Sequence, residues 1–195
     1  KGELLSVVLA EGITDVEFVA GLLGIDDLEQ ARSRAARVIS MYRCYQKGDT
    51  IICEGGGKDN ICRRGKEISN ILKTRGTEFR VCVLLDGDAR DIKCDVGETF
   101  HLSNKNLDEL IFLITAGLLS KEEYAKDLIE NELNSPDSKL KAYLAMYLFK
   151  KYLAPDKKWT SLGSFYHYVS MKYKDLVLKS DEGLNRMVSH CILNH

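Results

Sequence analysis

Residues 80 to 88 read Arg-Val-Cys-Val-Leu-Leu-Asp-Gly-Asp, an unbroken apolar run that stops on two aspartates flanking a glycine. A run this short, rich in Val and Leu and closed by Gly87, reads as a strand buried on both faces rather than as a helix. Such strands belong to parallel sheets covered by helices, and ligands of those sheets bind at the carboxyl ends of the strands. Asp86 and Asp88 sit at that end. An isolated Asp-x-Asp is also what a solvated turn looks like, so the rest of the chain decides between the two.

The pattern recurs. Glu3 to Leu9 is a second buried-strand pattern, and it runs into Ala10-Glu11-Gly12. Thr14-Asp15-Val16-Glu17 then has capping-box spacing, which predicts a helix with Val16, Val19, Leu22 and Leu23 inward and Gly24 as its stop. Asp26 to Arg37 is a polar helical stretch. Val38 to Tyr45 and Thr50 to Glu54 are expected as two strands turning through Lys47-Gly48-Asp49, the second again ending on an acid, Glu54. Gly55-Gly56-Gly57 feeds a helix with Ile61, Gly65, Ile68 and Leu72 on one face and Arg63, Arg64, Lys66 and Lys73 pointing away. Thr99 to Leu102 is a last short strand ahead of the helical pattern Leu107 to Leu119. Strands alternating with helices in this order predict an α/β fold with a Rossmann-like, mostly parallel sheet flanked by helices.

From about residue 105 the periodicity is helical: Lys121 to Leu133, Lys139 to Leu153, Leu162 to Tyr173 and Glu182 to Leu193. The expected organisation is therefore an α/β domain over 1–104 and an all-helical C-terminal region over 105–195. Most of the nine tyrosines and Trp159 fall in that region, where helical spacing makes them core rather than a base-stacking platform. Lys150, Lys151, Lys157 and Lys158 read as a solvated face.

Composition narrows the function classes. With 45% hydrophobic and 29% charged residues and two prolines, the chain is globular rather than disordered. No apolar stretch approaches the roughly 18 residues of a membrane span, and no signal-peptide pattern is present, so no membrane partner and a cytoplasmic location are expected. The net charge of −1 leaves nucleic-acid attraction to a local patch or to metal ions. Six cysteines without a Cys-x-x-Cys pair read as buried thiols in preference to a zinc site or a disulfide framework.

Three strands deliver acids to one sheet edge: Glu11, Glu54, and Asp86 with Asp88. Crowded carboxylates raise one another's pKa unless a cation neutralises them. Oxygen-only ligands favour magnesium or manganese over zinc, and two such ions can clamp a phosphoryl transfer. The triple glycine allows close backbone approach and would leave helix-start amides facing a phosphate, although the Walker spacing is absent.

Glu11-Gly12 closing a first strand and Asp86-Gly87-Asp88 closing a later one resemble the Toprim domain of topoisomerases, bacterial-type primases and certain nucleases. The segments Glu11-Gly12-Ile13-Thr14-Asp15-Val16-Glu17-Phe18 and Ile52-Cys53-Glu54-Gly55-Gly56-Gly57-Lys58-Asp59-Asn60-Ile61 are similar to those of small Toprim nucleases of the overcoming-lysogenization-defect type. The resemblance covers roughly residues 4 to 110. It implies that Glu11 is a metal ligand or general acid/base, that Asp86 and Asp88 hold the metal, and that Asp15 and Asp108 are further metal-site acids, Asp108 being better aligned than Glu109. Asp15 also reads as a first-turn acid favoured by the helix dipole. Gly12, Gly56, Gly57, Lys58, Arg63 and Arg64 are the candidate phosphate or nucleic-acid contacts. The implied function is a nuclease acting on DNA or RNA with Mg2+ or Mn2+, with the helical region open to a protein partner. A primase-like nucleotidyl transferase, a non-catalytic nucleic-acid- or protein-binding module and a small-molecule phosphotransfer protein are the alternatives.

Overall fold

The computed structural model describes residues 4–192; Glu3 and Leu193, the outer ends of two expected elements, lie outside them. Five strands form one sheet: β1 (Leu5–Ala10), β2 (Cys44–Lys47), β3 (Thr50–Glu54), β4 (Phe79–Leu85) and β5 (Glu98–His101), in the order β2-β3-β1-β4-β5. β1 pairs in parallel with β3 and β4, β4 in parallel with β5, and only β2 is antiparallel. The fold is the expected α/β class, a mostly parallel sheet flanked by helices with a helical C-terminal region.

The continuous apolar runs follow from burial on both faces. Val8, Ala10, Ile52, Cys82 and Leu84 face one core, while Val7, Leu9, Ile51, Val81 and Val83 face the other. The first core is closed by α1 (Ile13–Leu22), α4 (Leu107–Leu118), α6 (Ser138–Tyr152), α7 (Leu162–Lys172), α8 (Lys174–Ser180) and α9 (Glu182–Cys191); the second is closed mainly by α3 (Ile61–Thr74). α2 (Leu28–Ala36) follows α1, and α5 (Glu123–Glu132) precedes α6. The helical region thus lies on the sheet in a shared core. At Gly21 of α1 an added Cβ would stand 1.9 Å from Ser170 Oγ and 2.7 Å from the His167 carbonyl, so only glycine lets α1 and α7 approach this closely.

Several expectations need correction. Val38 and Ile39 are not strand: their amides donate to the Ala35 carbonyl at the end of α2, and β2 starts only at Cys44. The start of α1 is capped not by Thr14 and Glu17 but by Gly12, whose amide donates to Asp15 Oδ2 at 3.1 Å, because the helix begins one residue before Thr14. α8 was not apparent in the periodicity. The cysteines are not free thiols: Cys44 joins Cys53 across β2 and β3, Cys62 of α3 joins Cys94, and Cys82 of β4 joins Cys191 of α9. A half-cystine occupies the same apolar positions as a buried thiol, so periodicity does not separate them.

Among the described residues no helix is long and apolar enough to cross a membrane. The C-terminal helices are tied to the sheet edge by buried Asp181. Its carboxylate accepts from the amides of Ser103, Asn104 and Leu184 and from the Asn104 side chain, each at 2.9 Å, capping α9 and fixing the chain after β5. Asp181→Ala removes a helix cap and leaves those donors unmet, so urea unfolding should show a loss of roughly 2–4 kcal/mol. Thiol titration of the denatured, unreduced chain should find no free thiol; six reactive thiols would contradict the pairing.

Candidate functional site

Consecutive crossovers leave the sheet by opposite faces. The chain from β1 to β3 runs through α1 on the first core, and that from β3 to β4 runs through α3 on the second. Their divergence opens a crevice at the carboxyl ends of the neighbouring strands β1 and β4, the place where open α/β sheets bind ligands. Glu11 follows β1 and Asp86 follows β4.

Glu11 connects the crevice walls. Its Oε2 accepts the Asp86 amide at 2.8 Å, and its backbone carbonyl accepts the Gly57 amide at 2.7 Å. Asp15 stands in the first turn of α1, and Asp88 lies exposed in the turn after β4. Asp108 comes from the first turn of α4, where Oδ1 accepts the hydroxyl of buried Tyr166 of α7 and Oδ2 lies 3.8 Å from Lys139 Nζ of α6. Glu109 is turned away, held by Ser138 at 2.7 Å and Lys141 at 3.0 Å.

These acids feel one another. Burial, followed by the charges of Asp15 and Glu11, a hydrogen bond with Glu11 and the charge of Asp88, pushes Asp86 up to about 9. Burial pushes Asp15 up to about 7, with Glu11 and Asp108 adding to the rise while the Gly12 amide and Lys139 oppose it. Burial and the adjacent Asp108 also raise Tyr166, so its hydroxyl stays a donor. The structure therefore brings together Glu11, Asp15, Asp86, Asp88 and Asp108. Glu54 ends β3 in register with Ala10; its amide donates to the Arg43 carbonyl at 3.0 Å and its own carbonyl accepts from Arg64 at 3.0 Å.

The phosphate candidates are placed differently from expectation. The Gly12 and Gly57 amides are already taken by Asp15 and Glu11. Gly56, at φ 76°, lies under the Arg64 side chain, which folds back over the Tyr42 ring at 4.5 Å instead of pointing away. Arg63 is paired with Glu67 at 2.6 Å and with Asn60 at 3.0 Å. Lys58 is exposed beside the glycine turn.

As a donor set, five carboxylates, of which burial and neighbouring charge push Asp15 and Asp86 up, suit a hard divalent cation. As the side chains stand, no group of three or more acidic, His or Cys side chains among the described residues is arranged to hold one. The donor chemistry fits, and ligation would require the carboxylates to close in. Tyr166 and Lys139 were not legible in the sequence as parts of this site; both come from the helical region and reach it only through packing on α1 and α4.

The fold and its crevice define an α/β protein with an acid cluster at the switch point of the sheet. No family model matches the chain. A stretch of 136 residues, 67% of the chain, is 29% identical to glutamyl-tRNA reductase of Pelotomaculum thermopropionicum and covers 29% of it, so the match spans less than a third of that protein's length. The crystal structure of hypothetical protein PH0156 from Pyrococcus horikoshii OT3 is similar with a TM-score of 0.52, covering 98% of this chain and 97% of that one at 15% identity. That likeness is one of fold.

Both raised carboxyls bind protons more tightly in the folded chain than near 3.8, their ordinary value. Their contribution to stability is whole below that value and is lost as pH rises through about 7 and then about 9. In EDTA, Tm should therefore fall across this window, and Asp15→Asn should flatten the lower part of the fall. Tyr166→Phe, which leaves Asp108 without its buried donor, should cost roughly 1–3 kcal/mol in urea unfolding.

Proposed function

We propose that the crevice between β1 and β4 carries out divalent-metal-dependent phosphodiester chemistry on DNA or RNA, as a Toprim-type nuclease. The observation that supports this most is the gathering of Glu11, Asp15, Asp86, Asp88 and Asp108 from both halves of the chain, with Asp86 held protonated up to about pH 9. Carboxyls perturbed by burial and by specific charged neighbours in a cleft are candidates for a functional site. Mg2+ or Mn2+ would be held by Glu11, Asp86 and Asp88, with Asp15 and Asp108 behind them, and would supply charge neutralisation and Lewis acidity at a phosphate.

The chain's own residues prepare that site. Glu11 fixes the backbone at Asp86 and anchors the glycine turn, so the three acids keep their spacing. Tyr166 and Lys139 hold Asp108 at the rim. Lys58 is free of ion pairs among the described residues and is the candidate phosphate contact at the glycine turn. A binding-only module of the same fold is the second reading, favoured by carboxylate oxygens already engaged with Asp86, Gly12 and Tyr166. A cytoplasmic location belongs to the proposal as well; the three disulfides weigh against it, because cystines are rare in reducing compartments.

The test is cleavage of labelled single- and double-stranded DNA and RNA with magnesium, manganese or EDTA; the tRNA in the name of the matched reductase is one reason to include RNA. Cutting should require metal and fall by about 10²-fold or more in a Glu11→Gln, Asp86→Asn variant. A folded native protein that cuts none of the substrates, or a variant as active as native, would overturn the nuclease reading.

A further inference from the structure

The aromatic residues of the helical region divide into two sets. Phe149, Phe165 and Tyr166 are core, as their spacing predicts, but Tyr124, Tyr143 and Tyr147 stand about half exposed, at 50%, 54% and 49%. Tyr143 and Tyr147 lie on one stripe of α6 with Lys139 and Lys151, at spacings of four residues. At 1.5 Å per residue the stripe runs roughly 18 Å. It starts at the acid cluster, where Lys139 meets Asp108, and it ends in a basic region.

There the stripe borders a groove of about 350 Å³ lined by Tyr143, Tyr147, Lys157, Lys158 and Trp159 among others. A second groove, of about 540 Å³, shares Lys157, Lys158 and Trp159 with the first and continues to Tyr168 and Lys172. Lysines sit over the rings: Lys151 is 5.6 Å from Tyr124, Lys157 5.6 Å from Tyr168 and Lys172 5.8 Å from Tyr168. Trp159 is braced by Phe165 at 4.9 Å and Tyr168 at 5.3 Å. Trp159 is thus braced by neighbouring rings, Tyr124, Tyr143 and Tyr147 keep about half their surface in solvent, and Asp156 lies near Lys172.

We infer that this surface binds single-stranded nucleic acid and leads it along α6 to the acid cluster. Its role in feeding a strand to that cluster rests on the phosphodiester chemistry proposed above. Unpaired bases offer flat faces that stack on exposed aromatic rings, and the backbone between them offers a phosphate for each lysine. A duplex hides its base faces and leaves the rings unused. A membrane surface is the poorer occupant, because an interfacial helix inserts Leu, Phe or Trp into lipid, whereas this stripe carries hydroxylated rings. The strip of positive charge also shows how a chain of net charge −1 can attract a polyanion.

The test is fluorescence anisotropy in EDTA with fluorescein-labelled oligo-dT, oligo-rU and a matching duplex, using the full chain. The native protein should bind single strands more tightly than the duplex. Tyr143→Ala, Tyr147→Ala should weaken single-strand binding about tenfold or more, while Tyr143→Phe, Tyr147→Phe, which keeps the rings, should bind as native. Lys157→Ala, Lys158→Ala should lower both the affinity and the slope of its salt dependence. Because no metal is present, these readings are independent of cleavage. Binding that follows the rings without any cutting would sink the nuclease and leave this inference standing. Overturning results are no single-strand binding, equal binding by the double alanine variant, preference for the duplex, or capture by anionic phosphatidylserine vesicles in place of the oligonucleotides.

Discussion

The Glu11 carboxylate accepting the Asp86 amide is the bond on which the rest of the crevice depends. Two neighbouring strands whose connections leave by opposite faces have no continuous backbone to hold their ends together. One side chain spans the gap, while the same residue's carbonyl draws in the glycine turn through Gly57. The result is a rigid rim on which Asp86 is half-buried close to Asp15 and Glu11. Burial and like charge act in the same direction there, so the rim is built at a cost in stability that grows as the acids ionise.

The helical region completes the same rim. α7 packs on α1 through Gly21, which brings Tyr166 to Asp108; α6 brings Lys139 to the other oxygen of that carboxylate. The disulfide from Cys82 in β4 to Cys191 in α9 and the Asp181 clamp after β5 fasten the far end of the chain to the sheet. The sheet supplies the central acids, and the helices supply the partners that hold the outermost one.

Much of this was legible in the sequence, for identifiable reasons. β1, β3 and β4 are buried on both faces, so their apolar runs stand out, and Glu11 and Asp86, which follow β1 and β4, fall at the crevice by geometry. β2 is an edge strand of four residues with one antiparallel neighbour, and the Val38-Ile39 pair before it resembled its start while capping a helix. Asp15 was readable as a first-turn acid, but its pairing with Gly12 depended on a helix boundary that a shift of one or two residues conceals. The cystine pairings depend on tertiary placement alone: partners are 9, 32 and 109 residues apart. The exposed tyrosines of α6 share the periodicity of core aromatics, and only the position of the neighbouring helices separates the two sets.

The acid cluster is proposed as a divalent-cation site. Manganese is the direct probe, because the free aqueous ion gives an electron paramagnetic resonance signal that disappears on binding. Titrating the native chain at pH 8 should remove the free-ion signal in a saturable way, and the Asp86→Asn variant, confirmed as folded, should leave it unchanged. A native protein that leaves the signal intact, or a variant that removes it equally well, would contradict the account.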